Sequence, residues 1–172
     1  MGAVMISAPA LLTREHHTGS FSCGVASLDD WLRHRAYSNQ VSGASRTYVA
    51  AEGQRVVGYY CLASGALAVS DTPGPLRRNM PDPVPMAILG RLAVDRDFHR
   101  KGLGVALLQD AVIRTMQAGG ILGIRGLLVH AISEEAKMFY EHHGFIASPT
   151  QPMTLTLSLK GMVSPQQPEM SG

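Results

Sequence analysis

Residues 86–115 read MAILGRLAVDRDFHRKGLGVALLQDAVIRT. Met86 to Val94 is an apolar run of strand type, Asp95 to Lys101 is a polar turn, and Leu103 to Ala118 offers Leu103, Ala106, Leu107, Ala111 and Ile113 to a core at helical spacing. Gly102 and Gly104 stand at the junction. Glycines there let backbone come close to a ligand. The first amides of a helix have no intrahelical acceptor, and with the helix dipole they draw phosphate oxygens. The stretch therefore implies a phosphate-bearing cofactor. It is not a Walker A loop, since no Gly-Lys-Ser/Thr occurs, nor a dinucleotide fingerprint, since Leu107 stands where the third glycine belongs. On this stretch alone, a plain tight turn remains an alternative.

Upstream, the N-terminal MGAVMISAPALL reads as a first strand. A helix is predicted over 27–42, with Ser27 as N-cap, Leu28, Trp31, Leu32 and Ala36 on one face, and Gly43 as its stop. Residues 47–51 and 56–69 read as strands joined by a turn at Glu52 to Arg55. Five prolines between Asp71 and Pro85 exclude a regular helix or central strand and predict an extended, substrate-facing loop. Downstream come a strand at 125–130, a helix from Ser133 to His143 stopped by Gly144, and a strand at 153–159. The expectation is one α/β domain over residues 1–160, then a polar, flexible tail at 161–172.

Composition narrows the class. Of 172 residues, 45% are hydrophobic and 16% charged, which excludes a disordered chain. The longest apolar stretch, Tyr59 to Val69, is too short to span a bilayer, so no membrane association is expected. No Lys or Arg precedes Arg14, as a secretory signal would require, and Ile6 excludes a myristoylation signal. Cys23 and Cys61 form no CxxC, which argues against a disulfide framework or zinc knuckle and for a reducing cytoplasm. The paired histidines 16–17 and 142–143 are adjacent rather than four apart, so no metal site is expected. Charge is uneven. Residues 76–125 carry eight basic against four acidic side chains, a bias that suits a nucleotide or RNA.

Residues 133–145, SEEAKMFYEHHGF, place Ala136 and Tyr140 on one face of a short helix. A phenol of pKa about 10 suits protonation of a departing thiolate, although on the helix alone Tyr140 also reads as a core tyrosine. His130 reads either as a proton relay or as a structural hydrogen-bonding residue, and Cys61 as core.

The loop His99-Arg100-Lys101-Gly102-Leu103-Gly104, followed by the Ala136…Phe139-Tyr140…Gly144-Phe145 segment, resembles the GNAT acetyltransferases. His99 departs from the Gln or Arg usual at the loop's first position. The resemblance is closest to the tRNA-acetylating toxins of type II toxin-antitoxin pairs. It runs through Phe21-Ser22-Cys23-Gly24, Leu28-Asp29-Asp30-Trp31-Leu32, Gly58-Tyr59-Tyr60, Arg77 to Pro83, Leu89 to Asp95 and Leu128 to Ala131. It implies a GNAT fold, a central mixed, mostly antiparallel sheet flanked by helices. Acetyl-CoA would be the co-substrate, its pantetheine arm paired with backbone of Leu92 and Val94, with Ala93 also in the cofactor site. Its pyrophosphate would lie on His99, Arg100, Lys101, Gly102, Leu103, Gly104 and Val105, with Ser133 nearby and Tyr140 as proton donor. The α-amine of an aminoacyl-tRNA would attack the thioester directly, which blocks translation. The implied partners are a ribbon-helix-helix antitoxin, operator DNA through the antitoxin complex, and a second copy in a homodimer.

General chemistry agrees with that acceptor. A lysine ε-amine, pKa about 10.4, needs a base, whereas an α-amine of pKa about 7.7 to 8.0 is already partly neutral. The strand 86–94 contains no carboxylate and carries Arg91. Arg77, Arg78 and Arg91, with Arg46 as an addition, are the candidates for gripping tRNA. Two rival readings stand beside this one. The first is acetylation of small amines or protein N-termini; the second is a GNAT-fold corepressor without turnover.

Overall fold

The computed structural model describes residues 5–160, so the predicted tail at 161–172 and the first four residues lie outside the described residues. Seven strands form one mixed sheet: β1 (Ala10–Leu11), β2 (Arg46–Glu52), β3 (Arg55–Leu67), β4 (Val84–Val94), β5 (Gly126–His130), β6 (Ile146–Ala147) and β7 (Thr154–Ser158). Their order is β1-β2-β3-β4-β5-β7-β6. The helices are α1 (Ala26–His34), α2 (Ala36–Ser42), α3 (Gly74–Arg77), α4 (Leu103–Leu122) and α5 (Glu134–His142). The α/β expectation holds. Among the described residues, no helix is long and apolar enough to cross a membrane.

The chain forms two compact units. The first comprises Met1–Ser64 and Ile88–Ala111. Its β2-β3 hairpin runs from Arg46 opposite Leu62 to Glu52 opposite Arg55, with a register shift at Ala50/Ala51 and Gly53 at φ 60° in the turn. The core gathers Phe21, Leu28, Trp31, Leu32, Val49, Val56 and Tyr59. Tyr59 is fully buried. It stacks on Trp31 at 5.9 Å, meets Phe21 edge-on at 5.5 Å, and donates its hydroxyl to Leu28 O at 2.7 Å. Gly58 lets α4 pack close, because a Cβ there would lie 3.0 Å from Leu107 Cδ1.

Two expectations are corrected in this unit. The predicted helix over 27–42 is two helices, broken where Arg35 takes φ −124°, ψ −32°, and its N-cap is Val25 rather than Ser27. The cause is tertiary. Buried Gln40 on α2 donates to Leu12 O and accepts from Thr47 N at 2.8 Å, so α2 is aimed by that amide rather than continued from α1. Among the described residues, the predicted N-terminal strand is limited to Ala10–Leu11 and an isolated bridge from Ile6 to Glu52. Pro9 has no N–H with which to extend the ladder.

The second unit comprises Gly65–Ala87 and Val112–Gly172. β5 and β7 pair antiparallel from Gly126 opposite Ser158 to His130 opposite Thr154, and the two-residue β6 adds beyond β7. Gly126 is required. A Cβ there would fall 2.6 Å from Leu157 O and 3.0 Å from Leu76 Cδ2. The proline stretch corrects another expectation. Gly74–Arg77 forms one helical turn, which Pro75 tolerates because the first turn needs no N–H there. α4 runs four residues past Ala118, through Gly119 and Gly120, until Gly123 at φ 72° ends it.

Candidate functional site

The glycine loop belongs to the first unit and is set from beneath by a buried carboxylate that the sequence reading did not single out. Asp95 is 2% exposed. One of its oxygens accepts the Asp97 amide at 3.0 Å, the other accepts the Ser22 amide at 3.0 Å, and the Arg55 guanidinium stands 3.5 Å away. Its own N–H donates to Val57 O at 2.8 Å, and the Arg96 N–H donates to Ser22 O at 2.8 Å. The exit of β4 is thereby tied to β3 and to the segment before α1. Phe98 is buried just beyond, with Arg55 and Lys101 over its ring at 5.5 and 5.4 Å. An Asp directly after a strand was the available signal, but Asp reads first as a turn residue.

On this base the loop takes an unusual backbone. Arg100 has φ 62° and Gly102 has φ 79°. A non-glycine residue in the left-handed region costs of the order of 1 kcal/mol and persists only where its surroundings hold it. His99 supplies one such hold, its Nε2–H donating to Val94 O at 2.7 Å. Ala106 is the first amide with an acceptor four residues back, Gly102 O at 3.1 Å. The amides of Leu103, Gly104 and Val105 precede it at the helix entrance. A Cβ on Gly102 would meet nothing within 4 Å, so the backbone here faces open space. Arg100 and Lys101 are exposed, while Leu92 and Val94 are partly exposed and Ala93 turns into the core. Backbone donors at a helix entrance, left-handed turns and two exposed cations in the same loop fit a pyrophosphate.

Arg91 also lies in this unit. Its guanidinium covers the Trp31 ring at 4.4 Å. A Cβ at Gly90 would come within 2.9 Å of Cys61 Sγ, so the strand there must be bare. Arg46 donates to Gln40 O at 3.1 Å, which caps α2, and remains exposed. Neither cysteine suits nucleophilic catalysis. Burial, followed by the Asp29 hydrogen bond, pushes the Cys23 thiol up to about 11, and burial raises that of Cys61.

Tyr140 lies in the second unit, 6% exposed on α5, between Phe139 and Phe145 at 5.3 Å each. The helix end is fixed by amides of His143 and Phe145 donating to Tyr140 O at 3.1 Å each, with Gly144 at φ 93°. Ser133 caps the other end by accepting the Ala136 amide at 3.0 Å. His130 is engaged through Nδ1 with Thr154 Oγ1 at 3.0 Å, the structural role. Arg77 and Arg78 are exposed and, with Gly74 and Pro75, line a cavity of about 370 Å³. Among the described residues, no three His, Cys, Asp or Glu side chains group to hold a metal.

Comparison with known proteins matches residues 43–147 to the GNAT acetyltransferase domain. The chain is 51% identical to the tRNA-acetylating toxin of Mycobacterium tuberculosis over 154 residues, covering 90% of this chain and 93% of that one. Its fold is similar to AtaT complexed with acetyl-methionyl-tRNAfMet, at a TM-score of 0.83 and 26% identity over 90% of this chain and 95% of that one. AtaT has also been solved bound to the C-terminus of its antitoxin AtaR, as a Tyr-to-Phe mutant, with a TM-score of 0.77, 26% identity and 89% and 92% coverage. KacT, in a KacTA–DNA complex, gives 0.76 at 25% identity, covering 90% and 93%. On that domain match and that 51% identity, this chain belongs to the GNAT acetyltransferases, in the family of tRNA-acetylating toxins.

Proposed function

We propose that this protein is a toxin that transfers an acetyl group from acetyl-CoA to the α-amino group of an amino acid esterified to tRNA, and so stops translation. The observation that carries it is the strained loop at His99 to Gly102, which leads into the backbone amides of the first turn of α4. The absence of a carboxylate on β4, where Arg91 stands instead, supports an amine that needs no strong base.

The residues divide the work as follows. Amides of Arg100, Gly102, Leu103, Gly104 and Val105 hold the pyrophosphate, assisted by the Arg100 and Lys101 charges. Backbone of Leu92 and Val94 pairs with the pantetheine arm, and His99 holds the Val94 carbonyl at the strand's end. Ala93 contributes through packing and Ser133 by capping the helix that carries Tyr140. Acetyl-CoA supplies the thioester electrophile and a thiolate leaving group. Tyr140 donates the proton to that sulfur from its place between Phe139 and Phe145. Arg77, Arg78 and Arg91 hold the phosphate-rich acceptor end, with Arg46 a lesser contributor. Residues 1–160 act as one GNAT domain. A ribbon-helix-helix antitoxin neutralises the protein and joins it on operator DNA; the active form is a cytoplasmic homodimer. The AtaR-bound and DNA-bound relatives support the partner reading.

The test is transfer of labelled acetyl from acetyl-CoA to charged tRNA, against the same tRNA deacylated and against a protein extract. Label on charged tRNA alone is expected. Label on protein or small amines would overturn the acceptor, and no label anywhere would favour a corepressor without turnover.

A further inference from the structure

The two arginines assigned to the acceptor sit on a piece of structure that cannot hold itself. α3 is four residues long, carries no side-chain cap hydrogen bond at its N-terminus, and is preceded and entered by prolines. A single turn is far below the length at which a helix is stable alone. Its C-terminal carbonyls have no intrahelical donors and must be satisfied from outside. One side chain does this. Arg125, immediately before β5, donates Nε to Leu76 O at 3.2 Å and Nη2 to Pro75 O at 3.4 Å. Its backbone is fixed as well, with its N–H on Pro85 O at 2.9 Å and its C=O accepting from Leu159 N at 3.1 Å. Leu76 is 1% exposed, and the bare Gly126 beside Arg125 is what lets it seat. The guanidinium fork thus grips the two residues directly before Arg77 and Arg78, and a planar cation at a helix C-terminus is favoured by the dipole as well.

We infer that Arg125 is a positioning residue for tRNA, which sets the direction of Arg77 and Arg78 by bracing the carbonyls of Pro75 and Leu76. This rests on the reading of Arg77 and Arg78 as tRNA contacts. Arg125 also lines a cavity of about 300 Å³ with Ile124, Leu159 and Lys160, so a direct phosphate contact of its own is the alternative to exclude.

The experiment is a double-mutant cycle read as separate KM values for charged tRNA and for acetyl-CoA, using Arg125→Ala, Arg125→Lys, and Arg77→Ala with Arg78→Ala. Arg125→Ala is expected to raise the tRNA KM about fivefold and leave the acetyl-CoA KM unchanged. Arg125→Lys, which keeps the charge and stem but loses the fork, is expected to be impaired as well and serves if the alanine variant does not fold. In the Arg77/Arg78 double-alanine background, removing Arg125 should change the tRNA KM less than about twofold. Additive effects, or a wild-type tRNA KM for Arg125→Lys, would overturn positioning in favour of a direct charge contact. A raised tRNA KM for the Arg77/Arg78 variant with none for Arg125→Ala would overturn this inference alone. No change for the Arg77/Arg78 variant itself would overturn the reading beneath it.

Discussion

The two units build their proposed functional elements from different material. In the first, the loop at His99 to Val105 is a backbone device, with amides presented by left-handed residues and held from below by Asp95, Phe98 and His99. In the second, the elements are side chains, a buried phenol at Tyr140 and exposed guanidiniums at Arg77 and Arg78. A backbone device tolerates changes of exposed side chain but not of φ or of its foundation. A side-chain device fails at one atom and leaves the fold intact.

That contrast can be broken in order of expected effect. Tyr140→Phe removes one hydroxyl in the second unit and should lower turnover by about 10² to 10³, with acetyl-CoA affinity unchanged by calorimetry. Unaltered turnover would remove Tyr140 from catalysis. Asp95→Ala in the first unit strands the Ser22 and Asp97 amides and a partner of Arg55. A loss of about 3 kcal/mol in denaturant unfolding is expected, together with weaker acetyl-CoA binding. Full stability would mean that the loop does not depend on its foundation. Gly102→Ala forces a side chain into φ 79° without a clash, so a cost of about 1 to 2 kcal/mol should appear as weaker acetyl-CoA binding with tRNA KM unaffected. Equal losses for both substrates would blur the division. Replacing Arg77 and Arg78 together by Ala should weaken tRNA use and flatten its salt dependence by about 1.4 to 1.8 units of log–log slope, sparing acetyl-CoA. An unchanged slope would show that neither meets a phosphate.

The same contrast governs what the sequence made legible. The glycine loop and α4 were readable because a φ requirement leaves glycine behind as its mark, and a 20-residue helix repeats its pattern many times. Tyr140 stands out in the sequence only through its place in a family motif. Asp95 was not readable, because beyond its local bond to the Asp97 amide, the contact that makes it a foundation comes from Ser22, 73 residues away. The break at Arg35 depends on Gln40 meeting Leu12 and Thr47, a tertiary fact with no local periodicity. α3 was hidden by its prolines, whose local meaning is loop, and β6 by having only two residues. Arg125 reads in sequence as one more member of a basic stretch, because the carbonyls of Pro75 and Leu76 that take its fork lie some 50 positions away.

The buried amide of Gln40 has a consequence for how the first unit assembles. It joins α2 to the Leu12 carbonyl beside β1 and to the Thr47 amide on β2, and it is satisfied in one alignment only. Were the β1-β2 pairing to slip by one residue, the Thr47 amide would move away. Donor and acceptor would then both be stranded in apolar surroundings, at about 1 to 3 kcal/mol for each group. β1 is two residues long and has too few ladder bonds to police its own alignment. Gln40 therefore acts as a proofreader of strand register.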